Sequence, residues 1–500
     1  MATNTKRIAK NTLYMYLRLI ITIPIAFLTS RIVLQQLGVD DYGIYNIVGG
    51  IVSLFAILRT AFASSTQRFY NVSIASNDTE DLSKVYTTSI VIHIFIALIL
   101  ALIIELFGMW FIANEMNYPV GRSSDVYYCF HLSVIAMVIG VITIPFDAMV
   151  IAKEKMAFYA YVTILDVILR LILVTTLVFV IGNKLRLYAF FQLLVCTILF
   201  GMTLIYFKSH FKEVRFSSFD SVSLKKMTSF TLWGLFGNIG YSLSNQGTNL
   251  LLNIFGGVTA NAAQGISMQI RNIIVKILAD SILAVRPQAI QLFAKQDYEA
   301  FYSLIYTYTK ILFVLAVILC APLIIYSEDI LRLWLGQVPP FAANFVILIM
   351  LYSIIRSYHE PLDIVFHASA RMKTYQIIAI IFAVLTFVFS WIALTLGFGV
   401  YSVYGVFIIT EIMLWSALAL LAVKDGLNLS VYFKKSVLPV VLYCLACSLL
   451  CIGIYLLDIN YILGILICVC INITLAFFGV LTKGQRHSIL IKIKQIKNGR

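Results

Sequence analysis

Long apolar runs, repeated from one end of the chain to the other, constrain the fold more than any other feature of the sequence. Each run has about 20 residues, which is the length that a helix needs to cross a bilayer core of roughly 30 Å. Only 12% of the residues are charged, against roughly 25% in a soluble domain. The runs do not alternate polar and apolar residues as the strands of a membrane barrel do. The sequence therefore predicts an all-α polytopic membrane protein without a cleavable signal peptide.

We expect about 14 transmembrane helices, which are numbered here as spans 1 to 14. In order they cover approximately residues 12–37, 43–70, 85–113, 125–152, 157–181, 185–207, 229–255, 258–290, 302–326, 341–368, 374–397, 400–423, 436–457 and 460–482. Spans 8 and 10 each contain several polar groups.

An internal repeat organises these spans. Residues 142–159 resemble residues 358–375, with Pro145, Asp147, Ala152, Lys155 and Tyr159 matching Pro361, Asp363, Ala368, Arg371 and Tyr375, each 216 residues later. A second echo relates residues 33–38 to 251–256. Chance similarity between apolar helices is the alternative explanation. The period contains six spans, an even number, so two six-helix lobes would face the same way in a parallel repeat.

The repeat predicts the domain organisation. We expect an N-lobe at residues 1–210 with spans 1–6, a cytoplasmic linker at 211–228, and a C-lobe at 229–425 with spans 7–12. Spans 13 and 14, at residues 426–482, are two extra C-terminal helices. Residues 483–500 form a basic cytoplasmic tail.

The basic residues predict the orientation of the chain. Twenty-three Lys and Arg residues fall on the side that holds both termini, and four, Arg122, Lys184, Arg186 and Arg332, fall on the opposite side. This asymmetry places both termini in the cytoplasm. The net charge of +14 is scattered over short loops, which argues against nucleic-acid binding. The eight cysteines lie mostly in apolar runs, where small packing residues are a simpler interpretation than metal ligands.

Charged residues inside the spans are candidates for function, because each costs at least about 2.5–3.5 kcal/mol at the bilayer centre. Three pairs at i, i+4 can neutralise each other: Asp166 with Arg170, Lys276 with Asp280, and Arg356 with Glu360. Seven other basic residues have no such partner. Arg68, Arg286 and Lys310 lie near span ends, where we expect them to reach the membrane interface. The remaining four are Arg18, Arg31, Arg59 and Arg271. We expect them to line a water-filled cleft for an anionic substrate, because the guanidinium fork suits phosphate.

Amide side chains form a second candidate surface. Asn238, Asn245, Asn249 and Asn253 share a narrow arc of span 7, and Asn261, Gln264 and Asn272 share one of span 8. Interhelical hydrogen bonding is one explanation. A polar cavity wall that tolerates oligosaccharides is the interpretation that we prefer.

The Pro-x-Asp elements lie near the cytoplasmic ends of spans 4 and 10. Asp147 and Asp363 would act as gate or ion-coupling groups, or as helix-end ion pairs with the basic residue eight positions later. Glu105 and Glu360 are weaker candidates for ion coupling. The sequence contains no phosphate-binding loop of the ATPase kind and no metal motif. Transport by a secondary transporter is therefore favoured over enzymatic activity, and no cofactor is expected.

A family resemblance lies in residues 10–52, KNTLYMYLRLIITIPIAFLTSRIVLQQLGVDDYGIYNIVGGIV. Ser30-Arg31 through Leu37-Gly38, followed by Asp41-Tyr42-Gly43-Ile44-Tyr45, resembles bacterial oligosaccharide (O-unit, Wzx-type) flippases. These belong to the multidrug/oligosaccharidyl-lipid/polysaccharide (MOP) exporter superfamily.

The resemblance implies a function in surface polysaccharide biosynthesis. The chain would move undecaprenyl-diphosphate-linked glycans from the cytoplasmic to the periplasmic leaflet of the bacterial inner membrane by alternating access, coupled to a proton or sodium gradient. It implies cavity arginines, which we assign to Arg18, Arg31, Arg59 and Arg271. Membrane lipids and glycan-assembly proteins are the expected partners. A multidrug cation antiporter and a membrane-embedded glycan polymerase or ligase are the alternatives; the first calls for acidic cavity residues, the second for a large outer loop or paired carboxylates.

Overall fold

The computed structural model describes residues 2–53, 56–75, 78–153, 155–221, 224–225, 227–228, 240, 242–369, 371–457, 459–480 and 486. Within these ranges, side-chain burial and contacts are described for every residue except 2–20, 56–61, 64, 75, 156, 280–284 and 287. The described residues form helices and no strands. The predicted all-α fold is confirmed.

The helices of the first half follow the predicted spans. Span 1 and the start of span 2 share Ala2–Ser53, and the rest of span 2 is Ala56–Ala75. Spans 3 to 6 are Thr79–Asn114, Ser123–Ala152, Met156–Thr176 with the 3-10 turn Leu177–Phe179, and Lys184–His210.

The second half repeats this order. The described end of span 7 is the π turn Leu243–Gly247 and the start of Thr248–Ala294, which also contains span 8. Spans 9 to 12 are Tyr298–Ile325, Ala342–Arg356 with His359–Ala368, Met372–Thr395, and Ser402–Ala422 with Val423–Asp425. A short helix, Ser327–Leu335, follows span 9. Span 13 is Leu429–Tyr432, Phe433–Val437 and Leu438–Leu456, and span 14 is Tyr461–Leu475 with Ala476–Val480.

Eleven helices of the described chain are long and apolar enough to cross a membrane. Spans 2, 7 and 8 are the ones that do not appear among them separately. Span 2 shares its first helix with span 1, and most of span 7 lies outside the described residues. Span 8 includes Arg271, Lys276 and Arg286, so its hydropathy is low. The arrangement agrees with a polytopic protein of about 14 spans.

A glycine bends the chain at the same place in both halves. Gly38, between spans 1 and 2, has φ 79° and ψ 175°, and Gly257, between spans 7 and 8, has φ 67° and ψ −172°. Only glycine readily adopts this combination. The repeat therefore extends to backbone conformation, and the second bend lies one residue beyond the Gly256 that the sequence echo matched to Gly38.

The chain divides into two compact units. The N-unit comprises Met1–Ala262 with Trp334–Pro339, and the C-unit comprises Ala263–Leu333 with Pro340–Arg500. In the N-unit, the indole Nε1 of Trp334 donates to the carbonyl of Phe27 over 2.8 Å. The lobe boundaries drawn from the repeat, at 1–210 and 229–425, stay a prediction.

The core of the N-unit forms around one face of span 2. Ile44, Ile47, Val48 and Ile51 recur at helical spacing, are fully buried, and pack with Phe130 of span 4 in one hydrophobic cluster. The helical spacing of these four aliphatic residues in the sequence puts them on one face of span 2, and that face packs against the neighbouring spans.

The segment after span 6, within the predicted linker, is fixed along span 3. The backbone N–H groups of Arg215, Ser217 and Asp220 donate to the hydroxyls of Ser83, Thr87 and Thr88 over 2.9–3.3 Å. Ser83 and Thr87 lie one helical turn apart on the same side of the helix, and Thr88 lies next to Thr87 in the chain. This part of the linker is therefore an ordered strap on the N-unit.

Candidate functional site

The Asp41–Tyr45 motif is a packing and ion-pairing element of the N-unit. Asp41 forms an ion pair with Arg122, and Tyr45 packs edge-on against Tyr188 with ring centroids 4.6 Å apart. Gly43 lies directly against the backbone of Val258. The motif therefore fixes the junction of spans 1 and 2 to other parts of the unit.

An ion network extends from this motif across three inter-span connections. Arg122 Nη1 lies 2.8 Å from Asp125 Oδ2, and Arg186 Nε donates to Asp125 Oδ1 over 2.6 Å. Lys184 Nζ donates to Gln36 Oε1 over 3.0 Å. Three of the four basic residues that the sequence places on the outer side therefore stabilise the ends of these spans.

The predicted amide stripe contains a closed cluster. Asn253 accepts from the backbone N–H of Asn117 over 2.7 Å and donates to Asn261 Oδ1 over 2.7 Å. Asn261 in turn donates to the carbonyl and the side-chain oxygen of Asn249. Asn249, Asn253 and Asn261 are all buried. In this structure their amides bond to protein groups, as the interhelical alternative expects, and a cavity-lining role for them stays a prediction.

The other amide positions differ from this cluster. Asn238 lies outside the described residues. Asn245 is half-buried and has a partner, and Asn272 is exposed. Gln264 is buried in the C-unit, where its Oε1 accepts from the Tyr404 hydroxyl. A cavity-lining role for Asn245 and Asn272 stays a prediction.

Two adjoining clefts occupy the N-unit among spans 2, 4, 5 and 6. The first has a volume of about 300 Å³ and the second of about 270 Å³. Ala136, Arg170 and Cys196 belong to both linings. The polar side chains of the first cleft are Tyr45, Ser53, Ser133, Arg170 and Gln192, and those of the second are Thr143, Asp147, Tyr159, Thr163, Asp166, Arg170 and Thr203.

The Asp166–Arg170 pair lies at the meeting point of these clefts. Arg170 Nε donates to Asp166 Oδ1 over 2.7 Å, which confirms the i, i+4 pair that the sequence predicts. Both side chains keep about a third of their surface exposed, at 29% and 34%. The clefts therefore offer hydroxyl, amide, phenol and guanidinium groups around an internally neutralised charge.

The C-unit contains a buried polar network on spans 8, 10, 11 and 12. On span 8, Ser267 and Arg271 are buried, and the guanidinium of Arg271 lies 5.2 Å from the centre of the Tyr352 ring. The Tyr352 hydroxyl accepts from Arg356 Nη1 over 3.1 Å. Arg356 also donates from Nε to Glu360 Oε1 over 3.2 Å, which confirms the second predicted i, i+4 pair.

A histidine and a glutamate form the deepest part of this network. His359 Nδ1 lies 2.8 Å from Glu411 Oε1, and His359 Nε2 lies 2.8 Å from the Tyr375 hydroxyl. Both His359 and Glu411 are buried. The interruption of span 10 between Arg356 and His359 positions this imidazole toward spans 11 and 12.

The expected ion pair between Asp363 and Arg371 does not occur. Asp363 Oδ2 accepts from Arg286 Nη2 over 2.8 Å, and His367 Nε2 lies 3.5 Å away. Arg371 instead donates from Nη1 to both carboxylate oxygens of Asp425 over 3.0 and 3.1 Å. The predicted Asp363–Arg371 pairing was wrong because each of these side chains contacts a residue that is distant in sequence, Arg286 and Asp425 respectively. Arg286, expected to reach the membrane interface, is the partner of Asp363.

The other acids that the sequence singles out have different partners or lie in a cleft. Glu105 pairs with His131 through Nδ1 at 3.0 Å, Glu360 pairs with Arg356, and Asp147 lines the second cleft. The Lys276–Asp280 pair cannot be assessed, because the side chain of Asp280 is outside the described part. A gating or coupling role for these acids stays a prediction.

The predicted arginine set is not brought together by the described structure. The side chains of Arg18 and Arg59 lie outside the described residues. Arg31 is half-buried and has a polar partner, and Arg271 is 2% exposed. Direct contact between Arg271 and a substrate therefore requires a conformation in which the side chains that cover it have moved.

Sequence reasoning missed several polar groups that the structure places together. Gln192, Ser133 and Tyr45 line the first cleft, and His359 and Tyr375 surround Glu411. His359 carried a usable signal, since it is a titratable residue in a membrane-length apolar segment. The pairing with Glu411 bridges 52 residues and needs tertiary structure.

Comparisons with known proteins agree with these observations. The family model described as "Polysaccharide biosynthesis protein" matches residues 8–293, and the model described as "MatE" matches residues 235–392. The first match covers more than half of the chain. A comparison with curated protein sequences finds no match.

Solved structures share the fold at low sequence identity. An inward-facing multidrug resistance MATE family transporter of the MOP superfamily is 15% identical, with a TM-score of 0.67 over 84% of this chain and 99% of that chain. A variant of a Vibrio cholerae MATE transporter is 13% identical, with a TM-score of 0.56 over 86% and 99%. A MOP superfamily transporter from Pyrococcus furiosus is 13% identical, with a TM-score of 0.53 over 82% and 96%. The chain thus belongs to the polysaccharide biosynthesis protein family and shares the fold of integral membrane transporters of the MOP superfamily.

Proposed function

We propose that the protein is a flippase for lipid-linked oligosaccharides. It would move undecaprenyl-diphosphate-linked units between membrane leaflets by alternating access, for O-antigen, capsule or exopolysaccharide synthesis. The observation that carries the proposal is the match of residues 8–293 to the polysaccharide biosynthesis family. The diphosphate and sugars cannot cross hydrocarbon unaided, whereas the prenyl tail can remain in it.

The clefts of the N-unit have the chemistry of a sugar path. Hydroxyl, amide and phenol groups from Ser133, Thr163, Gln192 and Tyr45 surround the neutral Asp166–Arg170 pair. Such groups can exchange hydrogen bonds with many different hydroxyls without discrimination between sugars. The charge of Asp166 offers little to a lipophilic cation, because Arg170 already balances it.

The basic residues of the spans suit the diphosphate. Arg31 and Arg271, with Arg18 and Arg59 as sequence candidates, give spans 1, 2 and 8 an excess of positive charge. A guanidinium donates two parallel hydrogen bonds to a phosphate. Arg271 would take part after its contact with the Tyr352 ring opens.

A multidrug cation antiporter is the second candidate. The MatE match to residues 235–392 favours it, and the solved relatives include multidrug transporters by name. A flippase would transport an anionic headgroup, and its activity would depend on arginines. A cation antiporter would export organic cations, and its activity would depend on acidic residues. Under the flippase hypothesis, both termini lie in the cytoplasm, the protein resides in the bacterial inner membrane, and a proton or sodium gradient drives transport.

Reconstitution of the purified protein in liposomes tests the proposal. A fluorescent lipid-linked oligosaccharide placed in one leaflet should become accessible from the other only when the protein is present. Replacement of the cleft pair by neutral groups in D166N/R170Q should reduce the rate about tenfold or more, since a hydrogen bond to a charged group is worth about 1.5–3 kcal/mol. The control is R332Q, which removes an exposed arginine from the short helix Ser327–Leu335.

One outcome would count against the flippase, and a second would count against the clefts as its transport path. One is glycan movement at the rate of protein-free liposomes while organic cations are exported. The other is equal flipping in D166N/R170Q and R332Q, which would remove the clefts from the transport path and leave the function to other residues.

A further inference from the structure

We infer that Lys310 and Lys435 of the C-unit form a binding site for the phosphate of an anionic phospholipid. Lys310 lies on the helix Tyr298–Ile325, and Lys435 lies in the π turn Phe433–Val437 of span 13. Both residues belong to the ends of spans 9 and 13 that the basic residues predict to be cytoplasmic. The site is separate from the clefts of the N-unit and does not depend on the identity of the transported substrate.

Lys310 is a buried basic residue without an acidic partner in the described part of the chain. Its side chain is 8% exposed, so it does not extend freely to the membrane interface as the sequence predicts. No described residue forms an ion pair or a hydrogen bond with its Nζ. A buried charge is costly unless an opposite charge or hydrogen-bond acceptors satisfy it. An anion in contact with Nζ would offset this cost.

Lys435 adds a second positive charge at the same place. Among the described residues, it is the charged group close enough to act on Lys310 electrostatically. The Ser436 hydroxyl donates to the carbonyl of Tyr306 over 3.1 Å and thereby fixes the π turn to span 9. Tyr306 precedes Lys310 by one helical turn, so both lie on the same face of span 9. A phosphate can accept charge-assisted hydrogen bonds from both ammonium groups and relieve the repulsion between them.

Three tyrosines continue from Lys310 along this side of the C-unit. The ring centroids of Tyr302 and Tyr306 are 6.2 Å apart, and those of Tyr306 and Tyr432 are 6.0 Å apart. The Tyr302 hydroxyl donates to the carbonyl of Asp425, whose carboxylate is paired with Arg371. The two lysines are therefore surrounded by aromatic rings and uncompensated positive charge. Basic pockets between helices and aromatic belts are both typical of contacts with lipid headgroups.

The apolar surface beside Lys435 indicates a lipid rather than a free anion. Leu438, Leu442 and Leu445, which follow the π turn, are 54%, 58% and 57% exposed. They share one face of the helix Leu438–Leu456, because they recur at i, i+4 and i+7. In a membrane-spanning helix an exposed apolar face of this kind contacts acyl chains. A molecule with its phosphate at the lysines and its alkyl chains along the leucines satisfies both surfaces.

The charge of the site selects among phospholipids. A phosphatidylglycerol headgroup has a negative phosphate and no cation. Phosphatidylethanolamine and phosphatidylcholine have their own cation next to the phosphate, which would add a third positive charge beside the two lysines. The site therefore favours anionic headgroups, and a bound lipid would link span 13 to span 9 through its phosphate.

Lipid titration of the purified full-length protein tests the site. The protein in neutral detergent is titrated with phosphatidylglycerol or with phosphatidylcholine of the same acyl chains, and bound lipid is counted by native mass spectrometry. Wild type should bind phosphatidylglycerol about tenfold or more tightly than K310M/K435Q, because the variant loses the charge-assisted hydrogen bonds to the phosphate. The control is K373Q/K424Q, which removes two exposed lysines of the same unit and the same predicted side and should keep the wild-type affinity.

Thermal unfolding separates lipid binding from a purely structural role of Lys310. In lipid-free detergent K310M should be at least as stable as wild type, because the substitution removes a buried charge and keeps an apolar side chain of similar length. Added phosphatidylglycerol should then raise the unfolding temperature of wild type more than that of K310M. If K310M/K435Q does not fold, K435Q provides the binding test, because Lys435 is exposed; it should weaken binding severalfold.

Equal affinity for phosphatidylglycerol in wild type and the lysine variants would overturn the inference, as would an equal loss in K373Q/K424Q. Equal affinity of wild type for phosphatidylcholine would overturn the selection of an anionic headgroup. Displacement of the bound lipid by inorganic phosphate would assign the lysines to a soluble anion and overturn the lipid site. The titration contains no glycan, so its result is independent of the flippase proposal.

Discussion

Gly43 and Val258 approach each other so closely that the glycine α-carbon faces the valine carbonyl without room for a methyl group. This contact lies inside the N-unit, between the start of span 2 and the residue that follows the Gly257 bend. A Cβ on Gly43 would overlap backbone atoms of Val258, and backbone cannot move aside as a flexible side chain can.

We expect Gly43→Ala to destabilise the protein by about 1–3 kcal/mol, the usual cost of overpacking. The measurement is the unfolding temperature in detergent micelles. Gly49→Ala is the matched control, because it lies on the same helix and a Cβ there would meet nothing within 4 Å. An equal effect of both substitutions would show that helix propensity, and not the contact with Val258, sets the result.

The amide cluster gives a second prediction. Asn261→Ala should cost about 1–3 kcal/mol, because it removes the side-chain acceptor of Asn253 and the donor to the side-chain oxygen of Asn249, both buried. Asn272→Ala should change stability by less than about 0.5 kcal/mol, since this side chain is exposed. Thermal unfolding of the two variants checks the difference. Similar losses in both would contradict the cluster.

The Arg371–Asp425 pair should depend on the length and rigidity of the arginine side chain, which place Nη1 within reach of both carboxylate oxygens. Both carboxylate oxygens accept from one arginine nitrogen, and Asp425 is almost buried. Arg371→Lys should therefore lower the unfolding temperature in spite of the conserved charge. The control is Lys373→Arg, the reverse exchange at an exposed position two residues away, which should leave the temperature unchanged. A stable R371K would mean that the charge alone matters.

The ordered strap after span 6 should resist proteases through its hydroxyl contacts. Thr87→Val preserves shape and removes the acceptor of the Ser217 N–H. We expect faster tryptic cleavage at Lys212 and Arg215, measured by time-resolved gel analysis. Thr176→Val is the control, because its exposed hydroxyl donates only to a carbonyl of its own helix turn, Leu173. Unchanged cleavage in T87V would assign the order of the strap to other contacts.

Local geometry explains which features the sequence predicted. The Asp166–Arg170 and Arg356–Glu360 pairs are consequences of helical spacing, and both occur in the structure. The apolar runs likewise fixed the helical fold and the approximate spans, because bilayer thickness sets their length. The glycine bend was visible as an echo of six residues, although the bend itself is displaced by one.

Partners distant in sequence could not be predicted in the same way. Asp363 pairs with Arg286, which is 77 residues earlier, and Glu411 pairs with His359, which is 52 residues earlier. The periodicity of span 7 indicated that Asn249 and Asn253 share a face, but only tertiary structure shows that the backbone of Asn117 lies opposite. The clefts around Arg170 arise from four spans at once, so no single stretch of sequence contains their signal.

The two glycine bends have a consequence for substitution. At Gly38 and Gly257 the space where a Cβ would sit is open to at least 4 Å, so volume is no obstacle. The obstacle is chirality: with ψ near 180° at positive φ, even asparagine, which tolerates the left-handed helical region, is disfavoured. A D-amino acid would fit both corners as naturally as an L-residue fits an extended segment. Among the twenty encoded residues, glycine is therefore the one that suits both corners, because a change in a neighbouring residue does not alter the chirality at the corner itself.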